Sequence, residues 1–392
     1  MKPFFYSTSL LLLLAMGCSQ ESSQELSAQA SQHYNSGDYV HAVKALQAIN
    51  EEHGETPENW QNIAVAAYQS KDYSYAARAA QSGLTLLSIT GEASTSTTER
   101  KDALTEILAM AREAEGNLEE AVRLYYELTT AETKAIKLTA KSRLANLFLE
   151  QNKPDAALAL LLSAQKNEAS NATTNYNLAK LCNETFMLHR EALDFYRMAD
   201  HFLPTTVPQK KIVASEIARL TANSDQLRPK PPATGNISEC KKAIADYEKA
   251  KRKGHFKSAE SYAVKALKAD PSNYQAAINL ITFSKQQKNS AVALETYHHA
   301  LLINPTDLDL RVKAAAYALE MKRYDEALTF LRPVLVANLP KYKASIYQMM
   351  TILVKQGKRD EARAWGEYYL MVAPETPERN RTFIKGLPTY TK

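Results

Sequence analysis

The sequence predicts an all-α protein built from stacked helix–turn–helix units. Three observations carry this. Residues 240–273 and 274–307 are two segments of 34 residues in which Ala259 and Ala293, Ala266 and Ala300, and Pro271 and Pro305 recur at the same spacing. Self-similarity at such a period marks a repeat array, not a single globular core. Ala259, Ala263 and Ala266 fall on one face of a 3.6-residue helix, where small side chains let a second helix approach. Glycine is 11 of 392 residues, below the average of about 7%, which argues against a turn-rich β architecture.

The second-helix alanine serves as a ruler along the chain. It falls at Ala42, Ala76, Ala121, Ala157, Ala192, Ala259, Ala293, Ala327 and Ala362, in steps of 34, 45, 36, 35, 67, 34, 34 and 35 residues. Nine units are therefore expected. Gly254 is placed to end a first helix with positive φ, and Pro271 to end a second. The step of 45 absorbs the small, polar segment Gly91–Thr98, which reads as a loop. The step of 67 is nearly two periods. Residues 209–222 keep helical apolar spacing there, but Pro229, Pro231, Pro232 and Gly235 deny them a second helix.

This divides the chain on paper into an N-terminal array of five units over 25–204, a partial unit and Pro-rich linker over 205–237, a C-terminal array of four units over 238–374, and a basic tail over 375–392. The linker is expected to be a hinge, because few contacts should cross it.

The turn with its small and aromatic positions, followed by the late Ala and Pro, resembles the tetratricopeptide repeat family. The resemblance implies a right-handed superhelical solenoid of about nine units. It also implies that the first helices line a groove which takes a peptide or helix from a protein partner. Carrying the family's groove positions over gives Tyr34, Tyr68, Asn146, Asn177, Lys251 and Lys285. Asn side chains offer both donors and acceptor to a peptide backbone, and aromatics and cations offer stacking and carboxylate contacts. The two-Lys, two-Asn clamp that some relatives use for C-terminal carboxylates is incomplete here.

At the start of the chain, Met1 and Lys2 precede an apolar run from Leu10 to Met16, then Gly17 and Cys18. This is the pattern of a secretory signal over 1–17, too short for the ~20 residues of a membrane span. Its Ala15-Met16-Gly17-Cys18 end resembles a bacterial lipobox, with Ala15 where that family usually has Leu. The resemblance implies a lipid on Cys18, a short tether over 18–24, and, with Ser19 following, anchoring on the periplasmic side of the outer membrane. Cys182 and Cys240 show no metal-ligand spacing and read as buried thiols.

Motifs of chemistry are missing. There is no Gly-rich phosphate loop, HExxH, G-x-S-x-G or CxxC. His298 and His299 are adjacent, so on a helix they point about 100° apart, and His299 reads as a surface ion pair with Glu295. The remaining histidines are scattered, and no metal, cofactor or enzymatic activity is expected. Residues 19–100 hold 10 acidic and 4 basic residues, whereas 205–270 hold 14 basic and 7 acidic. In the envelope this asymmetry points to an anionic partner for the C-terminal half or to a solvated helix face, not to nucleic acid.

The sequence thus reads as a lipid-anchored, non-enzymatic interaction scaffold for assembling an envelope complex. The alternatives are a glycan- or nutrient-binding outer-membrane lipoprotein and a pilus or secretion assembly accessory protein.

Overall fold

The computed structural model describes residues 21–90, 94–227, 229–337 and 340–388. The expected signal, Cys18, the first residues of the tether and Lys392 lie outside them. Among the described residues there are 21 α-helices and no strand, and no helix is long and apolar enough to cross a membrane. Contacts divide the chain into two compact units that meet at Asn152 and Lys153.

The first unit holds α1 (Glu21–Asn35), α2 (Tyr39–His53), α3 (Pro57–Gln69), α4 (Tyr73–Thr90), α5 (Thr95–Ala114), α6 (Leu118–Leu128) and α7 (Lys134–Glu150). Each helix packs on the next. The tether expected over 18–24 is already helical from Glu21. The loop expected over 91–98 is also shortened. Ser94 accepts the Thr97 N–H at 3.1 Å, a side-chain cap that starts α5. The inserted residues lengthen α4 to 18 residues and α5 to 20.

The second unit begins with α8 (Pro154–Asn167) and α9 (Ala172–Lys180), which passes into a π-helical turn, Leu181–Thr185. It continues with α10 (His189–Phe202), α11 (Pro208–Ala222), the single turn α12 (Ser224–Leu227), α13 (Ile237–Arg252) and α14 (Phe256–Ala269). It ends with α15 (Tyr274–Gln286), α16 (Ser290–Ile303), α17 (Leu308–Glu320), α18 (Tyr324–Val336), α19 (Lys343–Lys355), α20 (Arg359–Val372) and α21 (Glu378–Lys385).

The ruler holds throughout. All nine alanines lie on second helices and are 0% exposed. A local rule accompanies it: the residue five positions before each has positive φ. These are Gly37, Lys71, Gly116, Asn152, Met187, Gly254, Lys288, Lys322 and Gly357. Within each unit the backbone must turn left-handed there to fold one helix back on the other. Glycine adopts this at no steric cost, whereas Lys and Met do so under strain.

Two boundaries differ from the expected ones. The interval 205–237 lies inside the second unit, whose first helix packs against its last helix pair through α8 and α20. The linker is also tied down at its end. Gly235 N–H donates to Asp270 Oδ1 at 3.0 Å and Asn236 N–H to the Ala269 carbonyl at 2.7 Å. A Cβ on Gly235 would stand 2.1 Å from that carbonyl oxygen, so only glycine fits.

The expected basic tail folds into α21, which packs on α20. Arg363 reaches from α20 to the carbonyls of Ile384, Lys385 and Leu387, holding the carbonyl end of the short helix. A Cβ on Gly366 would come 2.7 Å from Ile384, so the glycine lets α21 seat. Trp365 is fully buried beside it.

Candidate functional site

The first helices of the first unit carry one register of interest. Tyr34 and Tyr68 each stand eight residues before their ruler alanines. Tyr34 on α1 is half-buried and meets Tyr39 edge-on at 5.2 Å. Tyr68 on α3 is half-buried and meets Tyr73 at 5.3 Å. The same register on α5 is Glu113, which is not among the groove residues expected from the sequence.

Glu113 is the centre of a polar network. Its Oε2 accepts the Tyr125 hydroxyl at 2.6 Å and Arg143 Nη1 at 3.0 Å. Tyr125 is fully buried, so its hydroxyl needs a partner. Burial pushes both the Tyr68 and Tyr125 phenols up, and Arg143 opposes the rise in each. Two turns back on α5, burial drives the Glu106 carboxyl up to about 7, again against Arg143. One guanidinium therefore serves two carboxyls and two phenols drawn from α3, α5 and α6. The shared register would have pointed to Glu113. Arg143 and Glu106 carry no such mark, and the charge of Arg143 reaches Glu106 only because α5 and α7 pack together.

The other expected groove residues do not join this network. Asn146, one turn beyond Arg143 on α7, is exposed. The remaining three belong to the second unit. Asn177 is half-buried on α9, just before the π-helical turn. Lys251 and Lys285 share the register of Tyr34 and Tyr68. Lys251 Nζ lies 5.5 Å from the Tyr247 ring centre and Lys285 Nζ 4.9 Å from that of Tyr317. Cations on aromatic faces remain chargeable partners for a carboxylate while their stems cover apolar surface.

Cys182 and Cys240 are both buried and unbridged. His299 does not pair with Glu295: its Nε2 lies 2.7 Å from the Pro271 carbonyl, and His298 packs on Phe330 at 4.5 Å. Trp60 is half-buried, with its indole N–H on Glu55 at 3.2 Å.

These helices, with a buried alanine on each unit's second helix and a left-handed residue at each turn, define an all-α protein of repeated helix–turn–helix units. No protein-family profile matches the chain, and no curated protein does. Among solved structures it is similar to the APC/C hetero-tetramer Cut9–Hcn1, at 11% identity over 93% of this chain and 89% of that one, with a TM-score of 0.38. It is also similar to the TPR2AB-domain:pHSP90 complex of yeast Sti1, at 10% identity over 90% of this chain and 98% of that one, with a TM-score of 0.27.

Proposed function

We propose that this protein is a lipid-anchored, non-enzymatic scaffold of the bacterial periplasm, docking a peptide or helix of an envelope protein on its first-helix face. The network of Tyr68, Glu106, Glu113 and Arg143 carries the reading. It offers a stacking surface, a guanidinium and a carboxyl that is half-protonated near neutrality, all on adjacent helices. Buried polar groups held this way discriminate between partners, because a mismatched one leaves them unpaired. The signal and Cys18 support the location. Anchoring by one lipid chain is weak, so a stable anchor carries more than one.

A glycan platform needs exposed aromatic faces. Trp365 is fully buried and Trp60 is half-buried with its indole engaged, which disfavours that alternative.

Crosslinking in membranes followed by pull-down tests the site. Wild-type protein should recover a specific envelope partner, and Tyr68→Ala with Arg143→Glu should lose it while far-UV circular dichroism stays unchanged. Equal recovery by a folded variant would remove the site. Cys18→Ser should move the protein to the soluble periplasmic fraction. A wild-type protein already soluble and unlabelled by fatty acid would remove the anchor.

A further inference from the structure

The turn between α1 and α2 gathers three side chains that the docking face does not use. His33 lies in the last turn of α1, Asp38 is the N-cap of α2 and His41 sits in the first turn of α2. Asp38 Oδ2 lies 3.3 Å from His33 Nδ1 and 2.8 Å from His41 Nδ1. The two imidazoles stack with centres 5.3 Å apart. One ligand atom from each residue falls within 4.8 Å of the others. In the sequence these histidines look scattered, because they are eight residues apart and separated by the turn.

The turn itself does not require them. Asp72 caps the corresponding helix of the second repeat, accepting the Tyr75 N–H at 3.0 Å, with Ala67 and Tyr75 at the positions of His33 and His41. In the third repeat those two positions hold Arg112 and Glu120, and Arg112 Nε meets Glu120 Oε2 at 2.9 Å. The register thus brings the two side chains within reach, and opposite charges satisfy each other there. The first repeat puts two bases in the same places. Two imidazoles have no attraction for each other as cations. An electrophile shared between them satisfies both lone pairs.

We propose that His33, Asp38 and His41 form a binding site for a divalent transition metal of the zinc class. Zinc takes imidazole nitrogen and carboxylate oxygen at about 2.0–2.2 Å, so neighbouring ligand atoms in a tetrahedral shell stand about 3.3 Å apart. The carboxylate-to-imidazole separations are already close to that. Two neutral imidazoles and one carboxylate make the mixed donor set that zinc, copper and nickel accept. The side chains of His33, Asp38 and His41 are 40%, 42% and 58% exposed. Metal therefore enters without unfolding the repeat, and a fourth position stays open to water or to a partner's side chain. Bound metal ties the end of α1 to the start of α2, with its ligand His33 next to Tyr34 in the chain.

Calorimetric titration of the mature full-length chain with zinc chloride tests this. Wild type should bind one zinc per chain. His33→Ala and His41→Ala should each weaken binding by about tenfold or more, at least the cost of losing a supporting partner. Asp38→Asn is the discriminating variant: asparagine caps a helix as well as aspartate does, so the melting curve without metal should hold while zinc affinity falls. With cobalt as probe, the visible absorption of a low-coordinate site should appear in wild type and vanish in the double histidine variant. No zinc uptake by wild type, or equal uptake by the folded double variant, overturns the proposal.

Discussion

Arg332 and Asp155 stand 177 residues apart in the chain and hold each other through two parallel bonds, Nε to Oδ1 at 2.8 Å and Nη2 to Oδ2 at 2.9 Å. The guanidinium also covers the Phe186 ring at 4.7 Å. Beside them, Lys153 Nζ meets Asp360 Oδ2 at 2.6 Å. Burial and the Asp155 charge both push the Glu361 carboxyl up. This cluster fastens the start of α8 to α18 and α20, so the second unit is closed by chemistry as well as by apolar contact.

Arg332→Ala should therefore destabilise the second unit strongly. Asp155 has a side chain only 2% exposed, and breaking a buried pair by removing one partner costs about 3–5 kcal/mol. Replacing both, as Asp155→Leu with Arg332→Met, should recover much of the loss, because no buried charge is then left alone. Urea denaturation reads both effects. A single variant within about 0.5 kcal/mol of wild type, the range of an ordinary surface change, would show that the pair is not held dry.

Proteolysis within residues 229–234 should nick the second unit without separating its halves. The segment is non-helical and mostly exposed, but α8 and α20 pack together from opposite sides of it in the sequence. Gel filtration of the nicked protein should give one species at the intact mass, and denaturant should be needed to release two fragments. Fragments that part in buffer would restore the hinge expected from the prolines.

Lys288→Gly and Lys322→Gly should raise stability. Their φ values are 57° and 58°, where a side chain costs about 1–2 kcal/mol, and glycine returns part of this through a looser unfolded chain. A net gain of about 0.5–1 kcal/mol is expected for each. Gly116→Ala, at φ 82° with open space around it, should lose a comparable amount. Thermal melts of the three variants would contradict the strain argument if all moved in one direction.

Glu106 should make the first unit's stability fall with rising pH. Its carboxyl is raised from 4.5 to about 7, so the folded form holds the proton more tightly than the unfolded one. The contribution is full below about 4.5 and is lost as pH climbs through about 7. It amounts to on the order of 3 kcal/mol. Glu106→Gln should flatten that part of the profile and stabilise the alkaline side. An unchanged profile would mean that water reaches the carboxyl.

Some of the candidate site was written in the repeat and some was not. Glu113 occupies the register of Tyr34 and Tyr68 but is an acid, unlike the aromatic, amide and cationic residues expected in the groove. Residues 94–98 read as loop because they are small and polar, yet Ser94 and its neighbours are of the kinds that start helices. For α8 the signal was present and unused. Its residues Asp155 to Gln165 are all buried, and a run such as Ala156–Leu162, apolar all round, marks a helix covered on every side.

The sequence by itself determined the helices, the nine buried alanine positions and the turns that precede them. These depend on neighbours three, four or thirty-four residues away, and such short-range constraints repeat and can be counted. Tertiary structure alone decided where the chain divides, that α8 returns to α20, and which charges share Arg143 or Arg332. Those contacts join residues with no common period. A carboxylate such as Asp155 is costly to bury until its partner arrives from the far end of the chain, and the spacing of either residue says nothing about the other.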